Sequence, residues 1–196
     1  MRQQIARITD ILRRDDGISG AMHYTEQISW ILFLKFLDDF ETREADNALL
    51  DGKEYIYTIE EKYRWKSWAH GVNKQTSGDD LKDFVNNELF PYFKSFRGIN
   101  EDYHTLKYKI GEIFSFVDNR IDSGHTLREI LDIIDDLSFQ KSEDLFELSQ
   151  VYEDLLHGMG SDGGNSGEFY TPRSIIKMMV QSLDPKIGQT VYDPAV

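Results

Sequence analysis

The chain has 196 residues, 40% apolar and 13% aromatic, enough for a sizeable core, which excludes a wholly disordered protein. Its net charge of −13, from 22 basic and 35 acidic residues, argues against a protein that coats nucleic acid unaided, because phosphate binding draws on Lys and Arg. It has no cysteine, so disulfides and thiolate metal sites are excluded and a cytoplasmic setting is expected.

Residues 2–15 predict a helix, with Ile5, Ile8 and Leu12 on one face and a solvated close at Asp15-Asp16-Gly17. Met1-Arg2-Gln3-Gln4 leads into that charged helix and does not read as a signal peptide. Residues 24–45 form the strongest pattern. Ile28, Ile31, Leu32, Leu34, Phe36, Leu37 and Phe40 leave few polar faces, as in a central core helix. Ser29 and Lys35 interrupt its densest run, which is too short to span a bilayer. Thr25 is the expected cap, and Asp38-Asp39-Phe40-Glu41 is expected to surface.

Tyr55-Ile56-Tyr57-Thr58-Ile59 has the composition of a short strand. In Lys62-Tyr63-Arg64-Trp65-Lys66-Ser67-Trp68, with Lys74 beyond, basic and aromatic residues interleave. Lys62, Arg64, Lys66 and Lys74 are the candidates for contact with a phosphate backbone. The plainer reading, preferred on the residues alone, has Trp65 and Trp68 anchoring the segment and the lysines solvated.

Asp79-Asp80 predicts a helix start and Pro91 its end or kink. Residues 103–118 predict another helix, with Gly111 as its weak point. Thr126-Leu127-Arg128-Glu129 reads as a capping box. Ser142 is the expected cap of the next helix and Gly158 its C-terminal stop. The five histidines are scattered without metal-ligand spacing, and Asp135-Asp136 alternates around a helix like a solvated face.

A glycine-rich tract, 158–167, carries no Gly-Lys-Ser/Thr and so is no phosphate-binding P-loop. It leads into Gly167-Glu168-Phe169-Tyr170-Thr171-Pro172-Arg173 and a helical run. Thr171 suits an N-cap and Pro172 the first helical position, so the helix start offers free N–H groups to an anion. Alone, such a stretch is more often a capped helix than a site. Thr190-Val191-Tyr192 then reads as a strand that leads to Asp193-Pro194-Ala195-Val196.

The order Tyr152-Glu153-Asp154-Leu155-Leu156, glycine-rich loop, G-E-F-Y-T-P-R, helix and D-P-A resembles the modification subunit of type I restriction–modification systems, an adenine-specific DNA methyltransferase. Leu32-Phe33-Leu34-Lys35-Phe36-Leu37-Asp38-Asp39 resembles the core helix of its N-terminal domain. The resemblance implies a mainly α chain: a helical domain over 1–140, a connecting helix and loop over 141–167, and over 168–196 the first helix and strand of an α/β (Rossmann-like) methyltransferase domain. It implies S-adenosylmethionine as cofactor, held by Glu168, Phe169, Tyr170, Thr171, Pro172, Arg173, Asp193, Pro194 and Ala195. DNA, a specificity subunit and a restriction subunit are the implied partners. The chain lacks the Asn/Asp-Pro-Pro-Tyr/Phe motif that holds the target adenine in that family. It is therefore expected to be an N-terminal piece, inactive alone. The competing expectation is a helical interaction module with no catalytic role.

Overall fold

The computed structural model describes residues 1–70, 78–98, 102–139, 141–161, 171 and 173–192. Among them there are helices and no strand: α1 (Arg2–Leu12), α2 (Ala21–Leu50), a 3₁₀ turn (Glu61–Tyr63), α3 (Trp65–Trp68), α4 (Asp79–Phe84), a π-helical turn (Val85–Leu89), α5 (Phe90–Lys94), α6 (Leu106–Phe114), α7 (Gly124–Asp135), α8 (Ser142–Ser161) and α9 (Arg173–Leu183). The mainly helical expectation holds. The segments predicted as strands at 55–59 and 190–192 have no strand partner, and a strand without one leaves its backbone groups unpaired.

α2 is the axis of the fold. Its 30 residues make a rod of roughly 45 Å, against which α1, α3, α7 and α8 pack. Ile28, Ile31, Leu32 and Leu37 are almost fully buried, as a helix apolar nearly all round requires. α1 lays Ile5, Ile8 and Leu12 on the core, the predicted face.

The start of α2 corrects one expectation. The helix begins after Gly20, whose φ of 152° favours glycine, and Thr25 lies inside it. Thr25 caps nothing: it is buried, and its hydroxyl has no hydrogen-bond partner among the described residues.

The acidic end of the predicted core helix is also corrected. Asp38, Asp39 and Glu41 are buried, not surfaced. Asp39 accepts the Lys35 ammonium at 2.8 Å and, through its other oxygen, the backbone N–H of Phe139 at 3.0 Å. Glu41 accepts the N–H of Thr58 at 2.6 Å and the Tyr55 hydroxyl at 3.4 Å. A carboxylate thus replaces the neighbouring strand that the 55–59 segment would need. These acids are buried because donors far along the chain meet them, a pairing that local periodicity does not contain.

Asp15 departs from its predicted solvated end for the same reason. It is buried and accepts the N–H groups of Gly17 (3.1 Å), Asp122 (2.8 Å) and Ser123 (3.1 Å), tying the end of α1 to the start of α7. The cap of α7 is Ser123, whose hydroxyl accepts from Thr126 N at 3.2 Å, rather than the predicted box at Thr126. The earlier start is set by Gly124, where a Cβ would sit 2.0 Å from the Gly78 carbonyl oxygen.

α4 starts at Asp79 after Gly78, which takes the cap position instead of an aspartate side chain. Pro91 does not end the helical run. The π turn before it widens the ladder, so the ring and the missing N–H are absorbed and α5 continues. Gly111, the predicted weak point of α6, is where the helix backs onto the α5 end. A Cβ there would lie 2.5 Å from Arg97 N. Phe93 and Phe114 stack beside it at 4.7 Å, and Trp30 meets Phe90 edge-on at 5.1 Å.

α8 seats Val151 and Leu155 in this core, and the Tyr152 hydroxyl donates to the Ser29 carbonyl at 3.3 Å. Burial pushes the Tyr152 phenol above its ordinary range. The helix runs through Gly158, so that glycine is not its stop. The side chain of Ser142, the predicted cap, lies outside the described residues; Asp144 accepts the Lys141 N–H at 3.0 Å at that helix start. α9 carries no buried residue.

Candidate functional site

Two regions carry the predicted site residues. The first is the basic–aromatic segment. Trp65 and Trp68 are buried, 5.6 Å apart edge-on, as the anchoring reading requires. Trp65 Nε1 donates to Asp135 at 2.8 Å, and His70 Nδ1 lies 2.7 Å from the other oxygen of that carboxylate. Asp135 is therefore a bridging acceptor and not the solvated face expected from the Asp135-Asp136 pair.

Each of the three described cations of this segment has partners within the protein. Lys62 pairs with Glu88, a hydrogen bond that raises its pKa. The Arg64 guanidinium stacks 3.6 Å from the Tyr57 ring centroid and donates to the Ile59 carbonyl at 2.9 Å. Lys66 Nζ donates to Thr42 Oγ1 at 3.2 Å. A cavity of about 340 Å³ beside Lys62 is lined also by Trp68, Phe84, Asp80 and Glu88. Lys74 lies outside the described residues.

The second region is the start of α9. Glu168, Phe169, Tyr170, Pro172, Asp193, Pro194 and Ala195 lie outside the described residues. Thr171 is exposed, and α9 begins at Arg173. Arg173 Nε lies 2.6 and 2.7 Å from the two oxygens of Glu153 on α8, and its Nη2 donates to Ser149 Oγ at 3.0 Å. Its Cζ stands 5.5 Å from the Phe146 ring centroid. The Glu153 hydrogen bond raises the pKa of Arg173. Sequence reasoning quoted Glu153 but gave it no role, and missed Ser149 and Phe146. The available signal was their spacing: 146, 149 and 153 stand at i, i+3 and i+7 of one helix.

What could hold a ligand here is a helix start with an exposed first turn, whose N–H groups suit an anion. Among the described residues no group of His, Asp or Glu is arranged to hold a metal ion. None of the described helices is long and apolar enough to cross a membrane.

The described residues form a helical bundle built around one long helix, followed in sequence by a glycine-rich tract and α9. Residues 1–134 match the family model of the HsdM N-terminal domain, and the chain belongs to that family. Residues 141–196 match the N-6 DNA Methylase model. The chain is 35% identical over 191 residues to the type I restriction enzyme EcoEI methylase subunit of Escherichia coli, covering 97% of this chain and 38% of that protein. It is 26% identical to the EcoKI methylase subunit of Escherichia coli strain K12, covering 93% and 30%. The chain thus spans less than two fifths of these relatives' length. Among solved structures, a modification subunit described for a type I restriction enzyme from Vibrio vulnificus YJ016 superposes with a TM-score of 0.80 at 36% identity, over 96% of this chain and 42% of that one. A chain from a structure of type I R-M complex assembly and conformational transition gives 0.74, also at 36% identity, over 98% and 37%.

Proposed function

We propose that this chain is the N-terminal part of a methylase subunit that transfers a methyl group from S-adenosylmethionine to the N6 amino group of adenine in DNA. The observation that carries the reading is the order of the two family matches, a helical HsdM N-terminal domain followed at once by the start of an N-6 DNA methylase. The G-E-F-Y-T-P-R segment falls inside the second match.

In this reading residues 1–140 form the helical domain, 141–167 connect, and 168–196 open a Rossmann-like methyltransferase domain whose first strand includes residues 190–192. Glu168, Phe169, Tyr170, Thr171, Pro172 and Arg173, with Asp193, Pro194 and Ala195, form one side of the cofactor pocket. The bound cofactor supplies an electrophilic methyl group. The helix start offers N–H groups to its carboxylate, and the aromatics face its adenine or sulfonium. The catalytic residues lie outside these 196. DNA, a specificity subunit and a restriction subunit are the partners, and the cytoplasm is the setting. The acidic balance supports a division of labour in which another subunit reads the bases. Local phosphate contacts fall to Lys62, Arg64, Lys66 and Lys74.

The test is methyl transfer from labelled S-adenosylmethionine to duplex DNA. The complete subunit with its specificity subunit is expected to form N6-methyladenine, and the 196 residues alone are not. A complete complex that binds DNA but never methylates adenine would leave the non-catalytic helical module as the better reading.

A further inference from the structure

The cavity of about 340 Å³ beside Lys62 has no part in the methyl-transfer reading. Trp68 and Phe84 form its aromatic walls, with ring centroids 6.0 Å apart, and buried Leu81 also lines it. Tyr63 lies nearly parallel to Phe84 at 6.3 Å. Two exposed carboxylates complete the lining, Asp80 from α4 and Glu88 from the π turn. A π turn is a departure from regular helix that often accompanies a functional site.

The donors of this lining are spent. Trp68 Nε1 donates to the Tyr63 carbonyl at 3.3 Å, and Ser67 Oγ donates to the Glu61 carbonyl. Carboxylates and ring faces remain, and both attract cations. The chain has placed a cation of its own there. Lys62 Nζ pairs with Glu88 and stands 5.5 Å from the Tyr63 ring centroid and 5.9 Å from that of Phe84. Lys62 is thus a resident ligand that reports what the cavity prefers. Its side chain is 59% exposed, and a pair so exposed is held weakly. One ammonium against two carboxylates also leaves Asp80 without an ion-pair partner among the described residues. A guanidinium suits this lining better than an ammonium does. Its planar face lies on a ring while its edge N–H groups reach carboxylates.

We propose that this cavity is a receptor for an organic cation of the guanidinium class, received on the Phe84 and Trp68 faces and by Asp80 and Glu88, with Lys62 as its internal competitor. An arginine side chain on a partner chain and a free guanidinium compound present the same group.

The experiment follows the Trp68 indole N–H by NMR in the complete subunit, with the resonance assigned from Trp68→Phe. The probes are ethylguanidinium, its neutral analogue ethylurea, and the peptide acetyl-Gly-Arg-Gly-amide. Ethylguanidinium should shift the resonance saturably and ethylurea should not. Asp80→Asn and Glu88→Gln, exposed substitutions that leave the rings in place, should each weaken Kd by about threefold to fivefold. Phe84→Leu should weaken it by about as much, the size of an exposed cation–ring contact. Lys62→Met removes the competitor and should tighten Kd by about threefold. Lys53→Met, the same charge change beside Asp51, should leave Kd unaltered. An equal response to ethylurea, or no saturable shift with either guanidinium probe, overturns the proposal. So does a Kd unchanged in both Asp80→Asn and Glu88→Gln, or weakened in Lys62→Met. Tighter binding of the peptide than of ethylguanidinium upholds the receptor and assigns it to an arginine on a partner chain. Equal or weaker binding of the peptide upholds it for a free guanidinium compound.

Discussion

Asp39, near the middle of α2, accepts the backbone N–H of Phe139 across 100 residues of sequence, at 3.0 Å. The same carboxylate takes the Lys35 ammonium at 2.8 Å, with both side chains at or below 10% exposure. Removing one member of a buried pair leaves the other charge without compensation, at a cost of about 3–5 kcal/mol. Asp39→Ala should therefore lower the urea-unfolding free energy by that order. Adding Lys35→Met should recover part of the loss and not all, since the Phe139 N–H stays unpaired. An Asp39→Ala loss below about 1 kcal/mol, the size of an ordinary surface pair, would show the network to be dispensable.

Asp38 gives the fold a pH dependence of opposite sense to the usual carboxylate. Burial raises its pKa above the ordinary 3.8, with Lys66 and Lys35 opposing. The native state then holds the proton more tightly than the unfolded chain. Stability falls as pH rises through the interval from the ordinary value to the raised one, and the full penalty is present at neutral pH. Asp38→Asn should be more stable than the parent at pH 7, and the difference should shrink as pH is lowered through that interval. Denaturant titrations at several pH values provide the check; a gap that widens on acidification contradicts the assignment.

Gly111→Ala should destabilise although alanine is the better helix former by about 1 kcal/mol. The added Cβ would stand 2.5 Å from Arg97 N and 2.7 Å from Phe96 C, both backbone atoms that cannot swing aside. Overpacking of this kind costs about 1–3 kcal/mol, so a net loss or near-cancellation is expected in place of a gain. Thermal unfolding decides it, and a clear rise in Tm would mean that α5 and α6 part easily.

Reversing the charge of Lys62, Arg64, Lys66 and Lys74 together in the complete complex should weaken DNA binding. Each lost phosphate contact should also lower the slope of log affinity against log salt by about one. Binding measured at several salt concentrations separates this from misfolding. Unchanged affinity and slope would remove these residues from the DNA surface.

What could be read from sequence follows one physical line. Faces that repeat at helical spacing were legible, because they depend on neighbours three and four residues away: Ile5, Ile8 and Leu12 on α1 are the clear case. Features that need a distant partner were not. Asp15 looks like a solvated end until Asp122 and Ser123 bring their N–H groups to it. Glu41 looks like a surface acid until residues 55–58 fold over it. The Thr126 box satisfied the local rule, yet the close approach of Gly124 to Gly78 moved the helix start three residues earlier. At the candidate site the motif was legible as a string, while Ser149 and Phe146 were hidden because only a fold joins α8 to Arg173.

α8 has a double allegiance. By family match it belongs to the methylase region that begins at residue 141, yet Val151, Tyr152 and Leu155 lie against the helical core. The seam in the sequence and the seam in the mechanics are therefore different places. A cut at residue 140 would strip an apolar plug from the bundle and leave Tyr24 and Ile5, which border the α8 groove, facing water.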